Sequence, residues 1–194
     1  MDEHVIDVAI DLGEIALDAT LDDGLLKDVP VLGTIVNVAK AAASIRDRIL
    51  LQKIRAFLQP CVALEAESKV QFRERMSSDR EFRAKVQEIL ALFLDRCDDL
   101  KKAEILGAIF MGLVRGTVDL DEFYRIVFCV DRAFVPDLAR LHRYPKVGTA
   151  GYRARNQEPI ALSNLVKETN SFEYHSTELG RKLLQLLKDA NVEF

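Results

Sequence analysis

Three cysteines and three histidines are the side chains of this chain most suited to metal binding or nucleophilic chemistry, and their spacing favours neither. Cys61, Cys97 and Cys129 stand far apart, each in or beside an apolar stretch. A zinc site draws on closely spaced pairs such as CxxC, HxxxH or HExxH, and none occurs among these cysteines and His4, His142 and His175. An odd number of scattered cysteines is also a poor disulfide framework, so buried, reduced thiols are expected. No GxGxxG and no GxxxxGK[ST] is present to cradle a phosphate. A Cys–His nucleophile pair would have to assemble in space from remote positions. The residues therefore predict no catalytic site, no cofactor and no bound metal.

Two further constellations carry partial signals. Gly116-Thr117-Val118-Asp119-Leu120-Asp121-Glu122-Phe123 matches the second half of a calcium-binding EF-hand loop. The first half fails, because its side-chain ligand positions fall on Met111, Leu113 and Arg115. A tight inter-helix turn with a helix cap is the expected structure there. The second constellation is a basic window. Residues 138–157 contain no acid and carry Arg140, Arg143, Lys146, Arg153 and Arg155, with Tyr144 and Tyr152 among them. Cations beside aromatic rings suit phosphates and stacked bases, which makes these five basic residues the candidate nucleic-acid or oligonucleotide site. The structural alternative is a solvated loop.

The elements that must position these groups are mostly helices. Residues 2–28 hold nine acids and one lysine, with Val5, Val8, Ala9, Leu12, Ile15 and Ala16 at helical spacing. They predict an amphipathic helix with an acidic outer face, stopped at Gly24. Residues 29–45 then carry no acid and one base, Lys40, and are rich in small residues that let helices approach closely. From Arg46 the chain turns basic, and a helical stripe through Ile45, Ile49, Ile54, Phe57 and Leu58 runs until Pro60 stops it.

Behind it, Ser78-Asp79-Arg80-Glu81 reads as a capping box with Ser78 as the cap. Phe82, Val86, Ile89, Leu90, Phe93, Cys97 and Leu100 line the helix that follows. Ile105, Leu106, Ile109, Phe110 and Leu113 form another, broken at Gly116. Asp119 and Glu122 form a second box before Phe123, Val127, Val130 and Phe134, and Pro136 restarts a helix to about His142. Residues 144–159 read as a long exposed connection. A short helix is expected over residues 162–168, a brief strand at Phe172-Glu173-Tyr174, and a last helix capped by Ser176 or Thr177.

With 194 residues, abundant apolar side chains and a mild net charge of −4, the composition is globular, and no global field draws the chain to nucleic acid. The acidic start is unlike a secretory signal, and the apolar 29–45 stretch is shorter than a simple transmembrane helix and interrupted by Pro30, Gly33, Asn37 and Lys40. The expected location is the cytoplasm, with association to the inner membrane through 29–45. The expected fold class is all-α: a helical bundle with a small C-terminal winged-helix-like module. Three regions are expected. An acidic helix and hydrophobic/basic helical hairpin span 1–60, a helical body 61–143, and a basic loop with the C-terminal module 144–194.

Two resemblances add to this. Tyr174-His175-Ser176-Thr177-Glu178-Leu179-Gly180 before Leu183 and Leu184 resembles the last wing and helix of winged-helix proteins. Gly24-Leu25-Leu26-Lys27-Asp28-Val29-Pro30-Val31-Leu32-Gly33-Thr34, then Ser44-Ile45-Arg46-Asp47, Gln52-Lys53-Ile54 and Asp131-Arg132-Ala133-Phe134, resemble a family of small bacterial all-α proteins. The chain departs from that pattern at Gln59-Pro60-Cys61, where a smoother loop is expected. The resemblance implies an effector of anti-phage defence, working beside a partner enzyme of the same operon.

The order of charge along residues 1–55 points the same way. An acidic helix, an uncharged small-residue segment and a basic helix suit either a hairpin packed into the core or a concealed membrane element. In the second case Val31, Leu32, Ile35, Val36, Asn37 and Lys40 are the candidate membrane or pore residues, in a homo-oligomeric channel restrained by the C-terminal module. A nucleic-acid-binding regulator and a structural partner-binding subunit are the alternative functions.

Overall fold

The computed structural model describes residues 45–146, 152–153, 164–170 and 173–194. The chain is mostly helical. Among the described residues, five longer helices come first: α1 (Ile45–Cys61), α2 (Ala66–Ser78), α3 (Arg80–Arg96), α4 (Leu100–Val114) and α5 (Leu120–Arg132). The short α6 (Val135–Leu138) and a 3-10 turn (Leu141–Arg143) follow. Three strands, β1 (Tyr152–Arg153), β2 (Val166–Asn170) and β3 (Glu173–Ser176), precede the final helix α7 (Glu178–Asp189).

Helix α4 lies at the centre because its sequence leaves it no polar face. Every residue of Ile105, Leu106, Gly107, Ala108, Ile109, Phe110, Met111, Gly112, Leu113 and Val114 is buried, as expected of a helix that is apolar all round. Phe110 meets Phe57 of α1 at 5.4 Å between ring centroids, Phe72 of α2 at 5.5 Å and Phe123 of α5 at 6.5 Å. Tilted and edge-on ring pairs at these distances add to the burial itself. Helix α1 approaches α4 most closely at Gly107, where a Cβ would stand 2.1 Å from the Phe57 carbonyl oxygen. One continuous cluster of buried side chains runs from Ile54 to Val192, so α7 shares its core with the helices before it.

Local chemistry explains the boundaries. The turn at Gly116, with φ of +69°, returns the Thr117 and Val118 amides to the Gly112 carbonyl at 2.9 and 3.3 Å. Asp119 then accepts from the Glu122 amide at 2.8 Å while Glu122 accepts from the Asp119 amide at 3.2 Å, a complete capping box. These two carboxylates of the EF-hand-like stretch are thus occupied in starting α5. The other expected box does not form; a one-way cap one residue later takes its place. Asp79, not Ser78, accepts from the Phe82 amide, and Ser78 closes α2 by donating to the Glu74 carbonyl. Pro60 sits inside the last turn of α1 and does not stop it beforehand, so the expected loop at 59–61 is helical.

Three further expectations need correction. Val166–Asn170 is a strand, not part of a helix over 162–168; residues 162 and 163 lie outside the described residues. Its β-branched Val166 suits the pairing with β3, and Asn164 precedes it in the left-handed region at φ 71°. The helix restarted at Pro136 ends at Leu138 and passes into a 3-10 turn. Leu100 opens α4, does not belong to the α3 stripe, and is exposed, as is Phe134.

In the sheet, β3 lies between β1 and β2 and is antiparallel to both. Thr177 ties this unit to α7: its hydroxyl donates to the Asn164 carbonyl at 2.6 Å and accepts from the Gly180 amide at 3.1 Å. Leu183, Leu186 and Leu187 of α7 are buried, against α4 and α5.

Candidate interaction groove

Helix α5 buries Phe123, Ile126, Val127 and Val130 but keeps a second apolar face outside. Tyr124 and Phe128, one turn apart, are 52% and 38% exposed, with ring centroids 6.3 Å apart. The Arg132 guanidinium lies 4.2 Å over the Phe128 ring, a cation–π contact that holds that ring in place. Across from them α3 presents Ile89, Phe93 and Leu92, the last 54% exposed. Between the two helices runs a groove of about 630 Å³, with Lys85, Glu88, Asp121 and Arg96 at its polar margins. A second recess of about 540 Å³ lies between α5 and the sheet, lined by Arg125, Cys129, Val166 and Leu179 among others. Tyr124 and Phe128 line both and form the ridge between them. Adjacent exposed apolar side chains rimmed by charge mark interaction surfaces, and aromatics with arginine are their commonest anchors.

One end of the groove is closed by a polar network. Arg96 pairs with Asp131, bringing the C-terminal ends of α3 and α5 together. Lys102 is buried beside them; its ammonium pairs with Asp98 at 2.9 Å and donates to the Asp131 carbonyl at 3.0 Å. The hydrogen bond from Lys102 is the main reason the Asp98 carboxyl is held below its ordinary range. Lys53 of α1 donates to the Leu94 and Asp95 carbonyls, capping the end of α3, and Arg46 pairs with Asp95 at 3.2 Å. The start of α1 is therefore fixed beside this end of the groove.

The candidate membrane residues Val31, Leu32, Ile35, Val36, Asn37 and Lys40 lie outside the described residues, as does Arg155. The rest of the basic window spreads along the chain. Arg140 and Arg143 are exposed around the 3-10 turn, and Arg140 stands 3.6 Å from Asp137. Lys146 is exposed and its backbone bridges Ser176. Arg153 lies in β1 opposite Glu173. Tyr144 is only 9% exposed, so it gives those cations no open ring on which a base could stack. His142 Nδ1 donates to the Ala139 carbonyl at 2.8 Å and is exposed, while His175 is buried in β3.

All three cysteines are buried free thiols. Burial pushes Cys61 up to about 12 and raises Cys97 and Cys129 as well, which makes poor nucleophiles of them. Among the described residues no group of three His, Cys, Asp or Glu is placed to hold a metal ion. Among the same residues no helix is long and apolar enough to cross a membrane.

The groove had a signal in the sequence. Tyr124 and Phe128 are spaced four apart, displaced by one residue from the buried pair Phe123 and Val127. No protein-family profile, no curated protein and no solved structure matches this chain.

Proposed function

We propose that this chain is a non-enzymatic effector of bacterial anti-phage defence that acts on the inner membrane as an oligomer, through residues that precede α1. The observation that carries this reading is the junction at Ile45. A stretch of small and aliphatic residues with no acid and one base, 29–44, runs directly into a helix whose first turn carries Arg46 and Arg48 beside Asp47. Ile45 is 79% exposed and Arg46 and Arg48 are exposed beside it. Apolar residues followed by exposed arginines suit an anionic lipid surface.

The other face of α1 is committed to the body: Ile54, Phe57 and Leu58 are buried. The concealed membrane element read from the charge order along 1–55 therefore narrows to the residues before Ile45. The family resemblance supports the defence setting, with a partner enzyme beside the effector. Vesicles of phosphatidylglycerol filled with dye test the reading. The full chain is expected to release dye, and Val36→Glu to abolish release while the body stays folded. Intact vesicles at every protein concentration, with wild type and variant alike, would contradict it.

A second reading, a structural partner-binding subunit, is favoured by the α3–α5 groove with its exposed Leu92, Tyr124 and Phe128. It predicts a constitutive complex and no effect on vesicles. The nucleic-acid-binding regulator has less support, because Tyr144 is buried and Arg140 stands beside Asp137.

A further inference from the structure

We infer that the α3–α5 face is where two copies of this chain meet, the second turned end for end on the first about a two-fold axis that crosses the groove at Leu92 and Phe128. The inference deepens the oligomeric part of the reading above, and its test is scored apart from any effect on membranes.

Charge beside the groove singles out a second copy as the occupant. Lys85 pairs with Glu81, Arg96 with Asp131 and Asp121 with Arg125, each inside the chain. Among the described residues, Glu88 at the groove margin and Arg132 over the Phe128 ring are the charges there left with no ion pair. They are opposite in sign and stand toward opposite ends. A partner that presented a single sign would satisfy one of them and oppose the other. A second copy turned end for end satisfies both.

Their spacing fits a two-fold. Arg96, four residues after Leu92, pairs with Asp131, three residues after Phe128, so Leu92 and Phe128 lie at one level of the groove. Glu88 is four residues before Leu92, and Arg132 is four residues after Phe128. At the helical rise per residue each lies about 6 Å from that level, in opposite directions. An axis across the groove at Leu92 and Phe128 exchanges the two ends. It carries Glu88 of each copy to the end that holds Arg132 of the other, and the contact occurs twice, as in any isologous interface. The length of the arginine side chain covers the sideways step from α5 to α3.

The backbone and the apolar centre agree with this placement. Helices α3 and α5 run the same way within one copy, their C-terminal ends joined by Arg96 and Asp131. In the second copy they lie antiparallel to the first pair, so positive N-terminal ends meet negative C-terminal ends. At the axis, Leu92 meets Leu92 and Phe128 meets Phe128, and all of these are exposed in the single chain. Tyr124 extends this centre, and the charges form its rim. The face runs about 17 Å along α3 from Lys85 to Arg96 and is two helices wide. That is small for a specific interface, so the dimer is weak, with a dissociation constant of about 1–100 μM.

Sedimentation equilibrium of the full chain without lipid, over about 1–500 μM, tests the interface. Wild type is expected to form a dimer. Glu88→Arg and Arg132→Glu are each expected to raise the dissociation constant about tenfold, because two attractive contacts become repulsive. The double variant, with the charges exchanged, is expected to recover most of that loss. The two side chains stand about 12 Å apart along the groove of one copy, so recovery requires contact between copies. Phe128→Asp, which leaves both charges in place, is expected to abolish the dimer over the same range. A monomer throughout, an association that these variants leave unchanged, or single-variant losses that the exchange does not recover would overturn the interface. Dye release from vesicles is scored separately. A dimer with charge recovery and intact vesicles keeps the interface and sinks the membrane reading. Dye release by a chain that stays monomeric does the reverse.

Discussion

Arg55 presents the sharpest unbalanced interaction at the scale of single residues. Its Nε and Nη2 atoms are buried, with no hydrogen-bond partner. Two buried N–H donors without acceptors cost more than an apolar side chain of similar size in the same place. Arg55→Met is therefore expected to stabilise the protein by about 1 kcal/mol or more, raising Tm by about 2–4 °C for each kcal/mol at this chain length. A lower Tm on scanning calorimetry would show that the guanidinium is compensated. Lys102 is the contrasting case, a buried cation with both a carboxylate and a carbonyl in reach. Lys102→Met leaves Asp98 largely in water but removes the tie to the Asp131 carbonyl, so a net loss of stability is expected there on the same measurement.

Elements depend on how closely their backbones approach. At Gly107, α1 and α4 touch so tightly that an added methyl group would meet the Phe57 carbonyl oxygen at 2.1 Å and the Pro60 ring at 3.2 Å. Alanine improves helix propensity by about 1 kcal/mol. Overpacking against a backbone carbonyl costs about 1–3 kcal/mol. The second effect wins, because the oxygen belongs to a helix and cannot swing aside. Gly107→Ala is expected to lower the urea midpoint with little change in slope; an unchanged or higher midpoint would show that the helices can separate freely.

Legibility in the sequence also varies by element. The Asp119–Glu122 box was readable because its two residues interact only with each other's backbone. The cap at Asp79 was misplaced by one position, since Ser78 and Asp79 are both good caps and the choice depends on where α2 ends. Residues 166–168 read as the end of a helix because their strand character comes from pairing with β3, a contact that local periodicity does not record. The helical class of the body is legible in its apolar spacing. The groove leaves only the four-residue spacing of Tyr124 and Phe128, because an exposed Tyr124 and a buried Phe123 look alike until α3 and α4 choose which one to cover.

The core of the whole molecule holds three thiols, and they link its stability to pH. Cys61 rises from an ordinary 9.0 to about 12 through burial, and Cys97 and Cys129 shift in the same direction. The unfolded chain loses these protons first, so over the window from 9 to about 12 it binds fewer protons than the folded chain. Stability is then fully present below 9 and falls as pH climbs through that window. Tm is expected to drop across this alkaline range, and Cys61→Ala to flatten the slope even though its Tm at neutral pH is lower. An equal slope in wild type and variant would place the alkaline sensitivity elsewhere.

The central claim is that this chain acts on the membrane through the residues before Ile45. Membrane potential in bacteria expressing the full chain reads this most directly, with Val36→Glu compared at equal soluble expression. Wild type is predicted to depolarise the cells and Val36→Glu to leave them polarised. Equal potentials with wild type and Val36→Glu would contradict the claim.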